Sequence, residues 1–195
     1  MSITTFGELK TAVASWTNRT DLTSVIPDFV TLAEASIRRD IRARDQLTDY
    51  TATLTSEAAA MPSDLLEIRW VKSTVNSYQK TLEFVASTIY ETQPEAGEST
   101  FYTIDGNTIK VQGGSECVIN YWAKYDALSA NADTNWLLTA SADVYLFASL
   151  VEAFDYIRDD VARDRYLDRY KRAVAEFNAN EKKALFAGPM RVRAA

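Results

Sequence analysis

Histidine is absent from this chain, and cysteine occurs once, at Cys117. Without histidine the chain cannot form a Ser-His-Asp triad or use imidazole in acid–base catalysis, and most zinc sites are excluded too. A single cysteine cannot form a disulfide within the chain. Cys117 lies in an apolar stretch, which predicts a buried free thiol.

Long apolar runs are also missing, and glycine and proline are scarce. No run approaches the roughly 20 residues that a membrane span needs, and residues 1–5 have neither the basic nor the apolar part of a signal peptide. Six glycines and four prolines argue against long disordered stretches. We therefore expect a soluble, folded protein that is made in a cytoplasm and has no membrane partner.

The charge balance is acidic, with a net charge of −6 and an isoelectric point near 4.8. General binding to nucleic acid or to a membrane surface requires clustered positive charge, so both are disfavoured. The composition, 47% hydrophobic and 25% charged, is that of a globular protein long enough to bury a core.

Apolar residues recur with helical spacing near the N-terminus. The pattern predicts a helix over 6–17, where Thr5 and Glu8 have the spacing of a capping box. A second helix is predicted over 26–43, with Pro27 in its first turn, where the missing N–H costs nothing.

Four arginines gather at the end of this second helix, at Arg38, Arg39, Arg42 and Arg44. One interpretation is a solvated face that complements the negative end of the helix dipole. The other is a basic patch that contacts an acidic neighbouring subunit. On the second interpretation, Arg38, Arg39 and Arg42 are candidate inter-subunit residues.

The middle of the chain changes to the period of strands. Apolar or β-branched stretches occur at residues 50–54, 65–71, 81–85, 101–104, 108–111 and 117–122. The turn Asp105-Gly106-Asn107 predicts a hairpin between two of them. Residues 87–93 are compatible with a short helix. We expect a small antiparallel sheet or sandwich.

Helical spacing returns in the last third. A one-turn lead-in at 135–138 precedes a predicted helix over 141–158, and a further helix is predicted over 161–186. Asp159 and Asp160 separate the two and cap the second. In the helix over 141–158, the residues expected to face inward are Val144, Phe147, Leu150, Val151, Phe154 and Ile157.

The final helix carries Leu167, Tyr170, Val174 and Phe177 at 3-4-3 spacing, which is typical of a narrow coiled-coil seam and offers a surface for helix packing. The chain contains ten Tyr, eight Phe and four Trp. Tyr, Trp and Arg are favoured in interface hot spots, although any one of these rings could equally pack in a core. Tyr166 and Tyr170 are candidate inter-subunit residues.

Together these elements predict an α+β fold, an antiparallel bundle of two N-terminal and two C-terminal helices with a central β-rich insertion. The predicted limits are residues 1–46 for the N-terminal helices, 47–129 for the insertion, 130–188 for the C-terminal helix pair and 189–195 for an extended tail. Basic and apolar residues alternate in the tail as in a strand with two different faces. Taken alone, the tail is more typical of a frayed terminus.

Catalytic motifs are not evident. Gly113-Gly114 is typical of a turn and not of a phosphate-binding loop. A glycosidase needs two carboxylates across a cleft. The candidates are Glu67, Glu83, Glu91, Glu95 and Glu98, and nothing in their spacing selects a pair. We expect no enzymatic activity, cofactor or metal. One alternative to this expectation is a peptidoglycan glycoside hydrolase that uses a carboxylate pair. Another hypothesis is a soluble scaffold or regulator that forms no ring.

Three groups of residues, in order along the chain, form a further pattern. The first comprises residues 6–16, 19–22 and 26–35, the second 128–129, 134–138, 143–147 and 150–153, and the third the final helix with Gly188-Pro189-Met190-Arg191-Val192-Arg193. Together they resemble the head-to-tail adaptor, or connector, family of short-tailed (podovirus-type) bacteriophages. The middle departs from the family pattern at 97–101 and 112–114.

This resemblance implies a structural virion protein at the head–tail interface. Such adaptors form a dodecameric ring beneath the portal protein after DNA packaging, and they extend the DNA channel. They offer a platform to tail, nozzle or fibre proteins, and DNA passes through the lumen without specific binding. The resemblance also implies that the C-terminal segment reaches along the portal. Its candidate portal-binding residues are Pro189, Met190, Arg191, Val192 and Arg193.

Overall fold

The computed structural model describes residues 3–75, 78–92 and 100–185. The chain divides into two compact units. Residues 1–45 and 125–195 form the helical unit, and residues 46–124 form the β unit. The predicted limits of 1–46, 47–129, 130–188 and 189–195 stay a prediction.

The described residues contain six helices and eight strands, and the predicted α+β class is confirmed. The helices are α1 (Phe6–Thr17), α2 (Ile26–Asp40), α3 (Ser87–Tyr90), α4 (Trp136–Ala140), α5 (Ala142–Ile157) and α6 (Asp160–Leu185). The strands are β1 (Leu47–Thr53), β2 (Ala58–Ala60), β3 (Leu65–Val75), β4 (Tyr78–Thr81), β5 (Glu83–Phe84), β6 (Phe101–Asp105), β7 (Thr108–Val111) and β8 (Glu116–Ala123).

Helix α1 has the predicted bounds and the predicted cap. The Thr5 hydroxyl accepts a hydrogen bond from the Glu8 N–H at 3.3 Å, and the Glu8 carboxylate accepts one from the Thr5 N–H at 3.1 Å. Two of the free N–H groups of this helix end are thereby satisfied. Asn18 closes the other end in the left-handed conformation, with φ of 51°.

Helix α2 ends three residues before the predicted bound of residue 43. Ile41 is extended, with φ of −107° and ψ of 134°. The reason lies in the core: Ile41 and Ala43 are both buried, with 0% and 2% of their surface exposed. An extended chain places both side chains inside, so burial outweighs continued helix formation.

Helix α5 is the central helix of its unit, which the predicted one-sided pattern misses. It contacts α1, α2, α4 and α6, so its surface is covered on several sides. Val144 and Leu150 are buried as predicted, whereas the other four expected residues are only partly buried. The buried residues that the pattern misses are Tyr145, Leu146, Ala148, Ser149 and Ala153.

Helix α6 uses its seam within its own chain. Leu167, Tyr170, Val174 and Phe177 pack on the core of the helical unit, and α6 packs along α5. Asp159 caps the helix by accepting a hydrogen bond from the Ala162 N–H at 3.0 Å. The predicted end at residue 186 lies outside the described residues.

The β unit consists of two four-stranded sheets, in the orders β1-β8-β3-β4 and β2-β7-β6-β5. All pairs are antiparallel except β5 with β6, which is parallel. The predicted single stretch at 81–85 is wrong: β4 ends at Thr81 in one sheet and β5 begins at Glu83 in the other. Leu82, between them, is buried and donates its N–H to the Val71 carbonyl at 2.9 Å.

The predicted hairpin is present between β6 and β7. Asp105 pairs with Thr108, so Gly106 and Asn107 form a two-residue turn. Gly106 has φ of 58°, which a glycine adopts without strain. Cys117 lies in the core of this unit with 1% of its surface exposed, and burial raises the pKa of its thiol to about 11.

Candidate assembly surfaces

A buried carboxylate organises the helical unit. Glu34, on α2, has only 3% of its surface exposed. Its Oε1 accepts hydrogen bonds from the Leu128 N–H at 3.0 Å and from the Tyr145 hydroxyl at 3.3 Å. Its Oε2 lies 3.4 Å from Nη2 of Arg38. Glu34 thereby ties the segment that follows β8 to both α2 and α5.

Asn135 and Tyr125 extend this network. Asn135 donates to the Tyr145 hydroxyl at 2.7 Å, and its Oδ1 accepts from the Leu138 N–H at 2.9 Å, which caps α4. The Tyr125 hydroxyl donates to the backbone carbonyl of Glu34 at 3.1 Å. A buried polar network of this kind fixes one arrangement of its elements, because each unpaired member is costly.

Burial raises the pKa of Glu34, against the opposing effects of the Leu128 N–H, of Arg38 and of the Tyr145 hydroxyl. Shifted carboxylates often mark active sites, but structural networks shift them as well. Glu34, Tyr145 and Asn135 are all buried, and they bond to one another or to backbone groups of the helical unit. The network therefore positions helices.

The start of α1 joins the same segment. The N–H groups of Phe6 and Gly7 donate to the carbonyls of Asp133 and Asn131, at 2.8 and 3.0 Å. A Cβ on Gly7 would lie 3.1 Å from the Asn131 carbonyl oxygen, so glycine permits this close approach. The first stretch of the family resemblance thus contacts the segment that joins residues 128–129 and 134–138 of the second.

The three candidate arginines of α2 have partners within their own chain. Arg38 pairs with Glu34 and lies over the Tyr125 ring, 5.2 Å from its centroid. Arg42 donates to the carbonyl of Arg38 at 2.9 Å, and Arg39 donates to the hydroxyl of Ser36 at 2.9 Å. Arg39 is exposed, whereas Arg38 and Arg42 are partly buried.

The two candidate tyrosines of α6 have different environments. Tyr170 is 6% exposed, and its hydroxyl donates to Asp40 at 2.7 Å, so it belongs to the interior of the unit. Tyr166 is partly buried and stacks on Phe154, with ring centroids 5.2 Å apart and planes at 5°. The candidate portal-binding residues 189–193 lie outside the described residues.

The match to known proteins decides the family. The sequence model of the family described as SU10 adaptor protein matches residues 4–193. This chain belongs to the SU10 adaptor protein family. The family comprises adaptors of phage head–tail connectors and is a structural family, not an enzyme family. A search of curated proteins finds no match.

The adaptor is therefore a structural virion protein that interacts with portal and tail proteins, and the family resemblance is confirmed. No helix in the described ranges is long and apolar enough to cross a membrane. Within those ranges there is also no group of three or more His, Cys, Asp or Glu residues that could hold a metal ion.

Three of the candidate carboxylates of the hydrolase alternative, Glu67, Glu83 and Glu91, lie within the described residues, and all three are exposed. Glu95 and Glu98 lie outside the described residues.

A surface that the sequence did not reveal joins three helices of the adaptor. It consists of Trp16 on α1, Phe147 on α5, and Arg165, Tyr166, Arg169 and Arg172 on α6, and we call it the aromatic–arginine patch. Trp16 retains 45% of its surface, although its ring lies 6.3 Å from Phe147 and 6.2 Å from Tyr166. Only helical spacing along α6 could have suggested it, because the other members come from distant parts of the chain.

Proposed function

We propose that this adaptor assembles as a ring of twelve copies on the portal protein after DNA packaging. The ring extends the DNA channel and provides the platform on which tail, nozzle or fibre proteins dock. The observation that carries the proposal is the family match, which runs from residue 4 to residue 193 and includes the C-terminal segment. The adaptor is made in the host cytoplasm and enters the virion at the portal.

The acidic charge supports a channel through which DNA passes without sticking. Each copy contributes a net charge of −6. A ring of such copies repels the DNA phosphates on average, because no excess of cations is present to neutralise them. DNA ejection through the ring therefore requires no specific binding.

The tail carries the proposed portal contact. Met190 and Val192 alternate with Arg191 and Arg193, which gives an extended segment one apolar and one basic face. Such a segment adds to the edge of a partner's sheet, while the arginines pair with carboxylates of the portal. Pro189 cannot continue the helix, so it separates this segment from α6.

The proposed inter-subunit residues have different roles. Arg39 and Tyr166 retain surface with which to contact a neighbouring copy. Arg38, Arg42 and Tyr170 act through the shape of that surface, because each already bonds to a group of its own chain. Contacts that are weak one by one leave the adaptor monomeric until the portal gathers the copies.

Deleting residues 189–195 tests the tail contact. Binding of the full chain and of the truncated chain to the portal of the same phage is measured by co-sedimentation. We expect the truncation to reduce portal binding at least about tenfold, which is the loss of about 1.4 kcal/mol, while the circular dichroism spectrum stays unchanged.

Two double variants that each remove two positive charges test whether the place of the lost charges, and not only their number, affects portal binding. Arg191→Ala with Arg193→Ala removes two cations from the tail, and Lys171→Ala with Lys182→Ala removes two from α6. The first pair should weaken portal binding and the second should not. Full binding by the truncated chain would contradict the tail contact, and no binding by the intact chain would contradict the proposed function itself.

A further inference from the structure

We propose that neighbouring copies in the ring are joined by two oppositely charged patches on different units. The aromatic–arginine patch of one copy binds an acidic patch on the β unit of the next copy. This inference rests on the proposed ring and assigns the surfaces that close it.

The basic side of the contact lies on one face of α6. Arg165, Arg169 and Arg172 are spaced by four and three residues, so they share a face of the helix. All three are exposed, and none has an ion-pair partner among the described residues. Their charges are therefore available to a partner.

Aromatic rings lie beside two of these arginines. The guanidinium of Arg169 lies 5.4 Å from the Tyr166 centroid and 5.9 Å from that of Phe147, and that of Arg165 lies 5.8 Å from Tyr166. A cavity of about 330 Å³ opens beside Phe147, Arg169 and Arg172. Arginines beside aromatic rings next to a concave surface have the composition of an interface hot spot.

The acidic side lies on β5 and α3, and we call Glu83, Phe84, Ile89 and Glu91 the acidic–apolar patch. Phe84 and Ile89 retain 60% and 49% of their surface, although both are apolar. Both β5 and α3 contact β6, and β5 is the edge strand of its sheet. Glu83 and Glu91 are exposed and have no ion-pair partner in the described ranges.

The charge of the whole β unit favours the same pairing. Residues 46–124 contain ten acidic and five basic residues, a net charge of −5, so the rest of the chain carries only −1. Almost all the net charge thus lies on the unit that presents the acidic–apolar patch. A basic patch on a nearly neutral unit finds its complement on another copy of the same chain.

Charge and composition favour a second copy over DNA as the occupant of the aromatic–arginine patch. The chain as a whole is acidic, with a net charge of −6, which disfavours contact with DNA phosphates. One sequence also supplies both complementary surfaces. A contact between two different surfaces of identical copies generates rings when the rotation closes.

Charge reversal tests the contact directly. The first variant combines Arg165→Glu with Arg169→Glu, and the second combines Glu83→Arg with Glu91→Arg. Each variant alone places like charges across every contact, so we expect at least about a tenfold fall in adaptor copies per portal, measured by mass photometry and by imaging of stained rings. An equal mixture of the two variants restores opposite charges at every contact, and alternating copies close a ring of even number.

Rings restored by the mixture, and by a single chain carrying all four changes, are the expected result. Lys171→Glu with Lys182→Glu reverses two charges elsewhere on α6 and should leave rings intact. The melting temperature of each variant is measured to check its fold. If the Arg165→Glu, Arg169→Glu variant melts at a lower temperature than the wild type, Arg165→Gln with Arg169→Gln replaces it, and we expect that variant to form fewer rings.

The remaining outcomes overturn the contact in distinguishable ways. Normal rings from either reversed variant alone would remove the contact and leave the proposed function in place. Portal binding that is lost in the arginine variant, and that the mixture does not restore, would assign the patch to the portal. A wild-type chain that forms no ring would overturn the proposed function and this contact together.

Discussion

The helical unit and the β unit of this adaptor are stabilised in different ways. The helical unit has a large apolar core that contains a buried polar network. In this network the Tyr145 hydroxyl accepts a hydrogen bond from Asn135 and donates one to Glu34. The β unit has a smaller core, to which both of its sheets contribute side chains. Stretches of the family resemblance fall in the helical unit, and the departures from it fall in the β unit.

This difference separates two tasks. A buried network specifies one arrangement of helices, because an unsatisfied member is costly. The helical unit is therefore suited to present a fixed surface in the proposed ring. The β unit carries most of the net negative charge and the exposed edge strand β5, the two features on which its proposed contact with a neighbouring copy rests.

Loss of Tyr145 should be the most damaging change. Tyr145→Ala leaves a cavity in the centre of the helical unit and removes a hydrogen-bond partner from both Glu34 and Asn135. We expect the free energy of unfolding to fall by about 3–5 kcal/mol, measured by urea denaturation. Tyr156→Ala, on the same helix but 61% exposed, is the matched control and should cost less than about 1 kcal/mol. Equal losses would contradict the assignment of Tyr145 to the core and to its hydrogen-bond network.

A core change in the β unit sharpens the comparison. Ile119→Ala removes a fully buried side chain of β8 and should cost about 3 kcal/mol. We expect hydrogen exchange to accelerate in β1, β3 and β8 while the amides of α5 keep their protection, since each unit has its own core. Val118→Ala, at a half-buried neighbour, should have a smaller effect. Equal acceleration in α5 would show that the two units unfold together.

The close approach at the start of α1 predicts an intermediate effect. Gly7→Val forces a branched side chain against the Asn131 carbonyl, and we expect a loss of about 1–3 kcal/mol and a lower melting temperature. Ser15→Val introduces the same side chain at an exposed position of α1 and controls for its helix propensity. If the two variants melt alike, the α1 contact is not tight.

Titration of Glu34 predicts the smallest effect. Burial raises its folded-state pKa above the ordinary value of 4.5, so the folded chain holds this proton more tightly than the unfolded chain. The resulting stabilisation of the folded chain is complete below the ordinary pKa of 4.5. It is lost as the pH rises through the higher folded-state pKa. Glu34→Gln keeps an acceptor for Leu128 and Tyr145 but does not titrate. Relative to wild type, the variant should gain stability in denaturation curves between pH 4.5 and pH 7.5; a relative loss would contradict the assigned direction.

Local features were predictable from the sequence because their signals lie within a few residues. The Thr5–Glu8 capping box, the bounds of α1 and the hairpin at Gly106 all follow from short-range chemistry. Burial of Cys117 followed from its apolar neighbours. The family resemblance was also readable, since its stretches keep their order along the chain.

Other features depend on partners that are distant in sequence. Tyr145 and Glu34 are 111 residues apart, so no local pattern indicates that the tyrosine is buried. Helix α5 is covered by several helices, and a one-sided apolar pattern cannot show this. The change of sheet at Leu82 interrupts an apparently continuous strand for a similar reason: its two ends pair with strands from different parts of the chain.

Imaging of the intact chain mixed with the portal protein of its phage tests the central claim most directly. The wild-type adaptor and portal are combined, separated from free adaptor and examined as single particles. The account predicts a closed ring of twelve adaptor copies on each portal. An adaptor that stays unbound, or binds without forming a closed ring, would contradict it.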